Sequence, residues 1–222
     1  MSTRIGAVAW VVGTAQFLVV QLVVAAAWRT PYSWGGNNIS DLGNVHCQIW
    51  DTSRPRYVCS PLHSLMNVSF AVHGALLLAG ILLTGACWGR GGVARAARIL
   101  CGTGGAAFVV VGLVPADVDE NLHLLAALFI MGVGNVGLLC AGFVRRDSFF
   151  GRLRPVSLFA GAVAVVSAGL FFAQQDPGIG LGGMERVAVF TLDAWTLVMA
   201  LAMWRSRGDA TALSARAAVA KV

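Results

Sequence analysis

The chain is 222 residues long, 57% hydrophobic and 12% charged, with a formal net charge of +6. Soluble domains carry about a quarter charged residues, so this composition excludes a water-soluble globular protein. A bilayer-spanning helix needs about 20 apolar residues, and the chain is built from such runs.

Six of them follow one another: Ile5 to Trp28, Leu62 to Cys87, Ile99 to Pro115, Leu122 to Val144, Pro155 to Ala173 and Arg186 to Trp204. The first competes with a signal-peptide reading, because Ala25-Ala26-Ala27 resembles a cleavage site. Its apolar run is about twice the usual 7–15-residue signal core, which favours an uncleaved helix. Arg29 to Pro61 is the longest connection, and long loops are often functional. It carries turn residues at Gly35-Gly36-Asn37-Asn38 and the aromatics Tyr32, Trp34 and Trp50, suited to a membrane interface. The expectation is a cap lying over the bundle, with Trp34 available to a substrate. Cys47 and Cys59 share this loop, where an oxidising exterior permits a disulfide. Gly102, Gly104 and Gly105, with Gly132 and Gly134 on the next run, permit close helix approach. Residues 1–204 form one all-α integral membrane domain of six transmembrane helices, and 205–222 a basic tail expected to be mobile.

Orientation follows from charge, since short loops rich in Lys and Arg stay in the cytoplasm. With the N-terminus inside, Arg4, Arg90, Arg95, Arg98, Arg145, Arg146, Arg152, Arg154, Arg205, Arg207, Arg216 and Lys221 are cytoplasmic, twelve of the 16 basic residues. Arg29, Arg54, Arg56 and Arg186 remain outside. Both termini are therefore expected in the cytoplasm, with the protein in the plasma membrane. The positive charge is an orientation signal and gives no reason to expect nucleic acid.

Ionisable side chains in spans are costly and so are functional candidates. His63 opens the second run, His123 the fourth and Glu185-Arg186 the sixth, while Asp41 lies in the long loop. All are expected at the outer surface. Asn67 and Gly74 share a helix face with His63 at 100° per residue, a face expected to line an outward cavity. Asp41, His63, Asn67, His123 and Glu185 make up the candidate catalytic set, with Arg186 paired to an anionic headgroup or to Glu185. Two imidazoles and carboxylates suit proton transfer, or a divalent metal at His63, His123 and Glu185 with one open position. No compact metal motif such as HExxH is present. The competing reading is that both histidines merely anchor helix ends among headgroups. His73 and Asp193 lie about 12–15 Å below their helix starts and are expected to pair, as a helix-to-helix clasp in preference to a proton relay.

Ile39-Ser40-Asp41-Leu42-Gly43, Cys59-Ser60-Pro61-Leu62-His63, Met66-Asn67, Gly112-Leu113-Val114-Pro115 with His123 beyond, and Glu185-Arg186 resemble the six-helix bacterial and archaeal family catalogued as domain of unknown function nine hundred and ninety-eight. The cysteine-containing form resembles an actinobacterial branch. The resemblance implies fold and site positions but no reaction. More distantly, the layout is similar to DRAM-like six-helix proteins associated with lipid handling, which implies membrane lipid as substrate or ligand.

Two functions are compatible with these residues. One is a membrane-embedded enzyme acting on a lipid or isoprenoid-like amphiphile at the extracytoplasmic face, by hydrolysis, transfer or cyclisation. The other is a non-catalytic lipid-binding, transport or assembly protein whose polar cluster locks the cap onto the bundle. An outward pocket with unpaired His and carboxylate favours the first; polar groups saturated by one another favour the second.

Overall fold

All six apolar runs form helices. The computed structural model describes residues 1–51 and 54–219, with side chains as far as Ser206; Lys221 lies outside them. The helices are α1 (Ser2–Ala26), α2 (His63–Leu83), α3 (Gly92–Leu113), α4 (Glu120–Ala141), α5 (Arg154–Phe172) and α6 (Leu181–Val219). Each contains a stretch long and apolar enough to cross a membrane. Hydropathy marks hydrocarbon and not helix, so two helices begin well before their apolar runs, by five residues or more. α3 starts at Gly92, taking in Arg95 and Arg98, and α6 starts at Leu181. The basic segment expected as a separate mobile tail continues the backbone of α6 as far as Val219.

Each helix packs on its neighbours in the chain, and α6 returns to α1, closing a ring in sequence order. With no hydrophobic drive between helices in lipid, close packing through small residues holds such a ring together. A Cβ at Gly74 of α2 would run into the Gly105 carbonyl and Phe108 of α3, and Gly104 of α3 lies against Gly134 of α4.

The interior is filled in layers. Toward the end where the chain begins, Trp10, Trp88, Phe150 and Trp195 form a plug with ring centroids 5.1–6.2 Å apart. Buried indole N–H groups need acceptors. Trp10 donates to the Leu77 carbonyl, Trp88 to Thr84 Oγ1 and Trp195 to Ser157 Oγ. Midway, Phe17 stacks on His73 at 4.5 Å, with Phe70 and Phe108 around them. The opposite end, covered by the long loop, holds the polar groups.

Candidate functional site

The loop is fastened before it can serve as a wall. β1 (Gln48–Trp50) and β2 (Arg56–Val58) pair antiparallel with Trp50 opposite Arg56, and the Cys47–Cys59 disulfide ties the hairpin's base. Asp41 sits in a single 3-10 turn, Ser40–Gly43, with no exposed surface. Its two oxygens take a bidentate fork from Arg56 at 2.6 and 2.7 Å, and one also accepts from Asn37 Nδ2 and the Asn38 amide at 3.0 Å. Arg56 reaches Asp51 as well, at 3.0 Å. Burial works against its charge, but the bonds and charge of Asp41 and then Asp51 outweigh burial and raise its pKa. Val45 and His46 donate their amides to the two oxygens of Asp117, in the turn between α3 and α4.

Arg186, one turn into α6, clamps the other side of the loop. Its Nη1 donates to the carbonyls of Trp34, Asn37 and Gly182 at 2.8 Å, and its Nη2 to the Tyr32 hydroxyl. The guanidinium lies 5.0 Å from the Trp34 ring, a cation–π contact. Burial raises the Tyr32 phenol above its ordinary range, with Arg186 opposing. The first turn of α6 fits against the loop because Gly182 has no Cβ to strike the Asn37 carbonyl.

Beneath this lid lies a cavity of about 350 Å³ between the hairpin, α4, the end of α5 and the start of α6. Trp50, Asp51 and Arg56 line it from the loop, Glu120 and His123 from α4, and Glu185 from α6. Leu124 and Phe172 also border it; Leu124 is exposed on the membrane-facing side of the bundle. His123 and Glu185 then form the roof of a second void of only about 20 Å³, lined by Ile39, Phe70, Phe108, Val111, Ile130 and Val189. That holds little more than one water-sized sphere. The Phe17, Phe70 and Phe108 rings stand between it and His73.

The orientation of His123 is fixed by local sequence. α3 stops at Leu113, before Val114-Pro115, because the residue preceding a proline is pushed out of the helical region. The Val114 carbonyl is then free to accept from His123 Nδ1 at 2.7 Å. A carbonyl only accepts, so Nδ1 carries a proton, and in the neutral imidazole Nε2 keeps its lone pair. His123 is 8% exposed, and its Nε2 has no protein partner among the described residues. Glu185, 7% exposed, accepts from the Ile39 amide at 2.6 Å through one oxygen; the other has no partner among them.

Backbone irregularity gathers at the same cavity. Among the described residues, the non-glycine positions with positive φ are Asp51 (71°) and Gln174 (54°), and both line it. α4 widens to a π-helix over Phe129–Gly134, which contributes Met131 to the wall. Strained conformations and π-bulges persist mainly at functional sites.

The expected site residues therefore separate. His123 and Glu185 come together at the cavity. His63 does not join them: it is half-buried at the start of α2, its Nδ1 bonded to the Ser60 carbonyl at 3.0 Å. Asn67 donates to the Gly43 carbonyl and Gly74 packs on α3, so that face of α2 is a packing seam and not a cavity wall. Asp41 is engaged by Arg56, and Arg186 by loop carbonyls, so Arg186 forms no ion pair with Glu185 and presents Trp34 with its own charge. No three His, Cys, Asp or Glu side chains among the described residues are placed to hold a metal ion, and His63 lies apart from His123 and Glu185. His73 and Asp193 do meet, Nε2 to Oδ1 at 3.1 Å. Asp51, Arg56, Trp50 and Glu120 also line the cavity and are not among the candidate site residues that the sequence offers. A signal existed for Arg56, since a carboxylate in a capped loop needs a cation and the loop carries only Arg29, Arg54 and Arg56.

Fold and site define a six-helix membrane bundle whose long loop roofs a polar cavity. The chain belongs to the family described as "Protein of unknown function (DUF998)", which matches residues 11–202. No curated protein and no solved structure matches it.

Proposed function

We propose that the protein is a membrane-embedded enzyme in which His123 and Glu185 move protons on the polar end of an amphiphile, a lipid or isoprenoid-like molecule. The observation that carries this reading is the presentation of His123: a ring held by its Nδ1–H, with an unprotonated Nε2 turned to a cavity it shares with a carboxylate. A general base needs that geometry before it needs any tuned pKa. Hydrolysis, transfer and cyclisation of an amphiphile all require a proton to leave or reach its polar end. The apolar void below is too small for a hydrocarbon chain, so the tail lies sideways, past Leu124 and Phe172, in the acyl region of the bilayer. The bias of basic residues toward the opposite end supports a cavity facing the extracytoplasmic side of the cell membrane, with both termini cytoplasmic.

The second reading, a non-catalytic lipid-binding, transport or assembly module, draws on the saturation of Asp41, Asn67 and Arg186 by contacts that hold loop to bundle. One comparison separates the two. Lipid extracts of cells carrying the wild-type chain, His123→Ala or Glu185→Gln are compared by untargeted mass spectrometry, with folded protein quantified in each. A lipid species formed only by wild type supports the enzyme. Identical lipid profiles with full-strength folded variants support the binding module.

A further inference from the structure

Resting on the amphiphile reading above, we infer that the headgroup this cavity accepts is a protonated primary amine, not a phosphate or other anion. Charge gives the first argument. Three carboxylates line the cavity, Asp51, Glu120 and Glu185, against one guanidinium, Arg56. That guanidinium is already held by Asp41 and Asp51. The two other arginines near the roof face away from a ligand. Arg54 is bonded to the Gly36 carbonyl and Asn38 Oδ1, and Arg186 to three carbonyls and Tyr32. The terminal nitrogens of these guanidiniums are thus engaged within the protein, while Glu120 and Glu185 accept from no guanidinium among the described residues. An anion entering here meets carboxylate oxygens, and the one guanidinium in the wall is already shared by Asp41 and Asp51.

Hydrogen-bonding capacity gives the second, independent argument. In the neutral ring His123 Nε2 is an acceptor, because Nδ1 donates to Val114, and the residue is more than nine-tenths buried. Glu185, equally buried, offers its unpartnered oxygen at the same wall. Buried acceptors demand donors. A primary ammonium brings three N–H groups; a phosphate brings only further acceptors at neutral pH, and a quaternary ammonium brings no donor. Trp50, Phe171 and Phe172 on the remaining walls supply aromatic surface of the kind that attracts cations. With the amine between Glu185 and His123 Nε2, the imidazole is placed to take one of its protons.

The test uses the full chain purified in a neutral maltoside detergent. Binding of dodecylamine, dodecyltrimethylammonium and dodecyl phosphate is measured by calorimetry on wild type, Glu185→Gln and Glu120→Gln, with helical content and Tm recorded for each. The expected result is that dodecylamine binds wild type about tenfold or more tighter than either competitor, and that Glu185→Gln removes about tenfold of that affinity, the scale of one charge-assisted hydrogen bond. Glu120→Gln, at the exposed rim, weakens binding by less. Dodecyl phosphate binding as tightly as dodecylamine would overturn the amine assignment while leaving the amphiphile reading standing. Absence of saturable binding by all three, on folded protein, would overturn both. If Glu185→Gln fails to fold, the wild-type ranking of the three amphiphiles still decides.

Discussion

Replacing Arg56 with Met tests whether the Asp41–Arg56 fork is what keeps the lid in place. Methionine retains much of the apolar stem of Arg56 while removing its charge, so the loss is electrostatic more than steric. Asp41 has no exposed surface, and its side chain would keep only Asn37 Nδ2 and the Asn38 amide as donors. Removing one partner of a buried ion pair costs about 3–5 kcal/mol; two surviving donors place this case near 3 kcal/mol, equivalent to roughly a hundredfold in the opening equilibrium. The amides of Asp41, Leu42 and Asn44 bond within the turn, and the Ile39 amide bonds to Glu185. Their hydrogen exchange, followed by mass spectrometry in detergent, should accelerate by about that factor while mid-helix amides of α2 and α3 stay protected. Adding Asp41→Asn to Arg56→Met should recover a large part of the loss, because the stranded charge is gone. Acceleration under about threefold, or no recovery in the double variant, would show that the fork does not hold the lid.

Three further outcomes are expected. Cys47 and Cys59, 12 positions apart, should react with iodoacetamide only after reduction, and reduction should destabilise the loop by about 3 kcal/mol on loop-closure grounds, read as a fall in Tm; labelling without reductant would contradict the bridge. Gly80→Ala places a methyl group on the Trp10 indole, which donates to Leu77; overpacking of this kind costs about 1–3 kcal/mol, and an unchanged Tm would show that the aromatic plug gives way freely. Asp193→Ala alone should destabilise the bundle more than the paired change His73→Phe with Asp193→Leu, as expected of a buried pair replaced by apolar volume. A folded Asp193→Asn variant that has lost all activity would replace the clasp reading with a relay.

What the sequence disclosed and what it withheld have different physical origins. The helices were legible because hydrocarbon imposes its thickness on composition, and the interior glycines because helix contact in lipid selects small residues. His123 and Glu185 were legible as costly charges near span ends. His63 stood at the same depth and looked equivalent, but depth fixes only one coordinate. Whether a side chain at a helix start turns inward depends on rotation about the helix axis, and His63 instead satisfies its ring on the Ser60 carbonyl one turn back. Asp41 and Arg186 were rightly read as costly, yet their partners came from the loop: a guanidinium 15 positions away in one case, and backbone carbonyls in the other. Nothing in the hydropathy of Asp51, Trp50 or Gln174 marks them as cavity walls. Their placement depends on turn geometry and positive φ, which composition does not encode.

The most direct test of the account is a cross-link. In a double variant, His123→Cys with Glu185→Cys, a short, membrane-impermeant reagent carrying two thiol-reactive groups is added to intact cells, and the link is mapped by peptide mass spectrometry. One intramolecular bridge between the two positions, formed from outside the cell, is expected. Single variants that each react while the double variant never bridges, or reaction only when the cytoplasmic face is exposed in inverted vesicles, would contradict it.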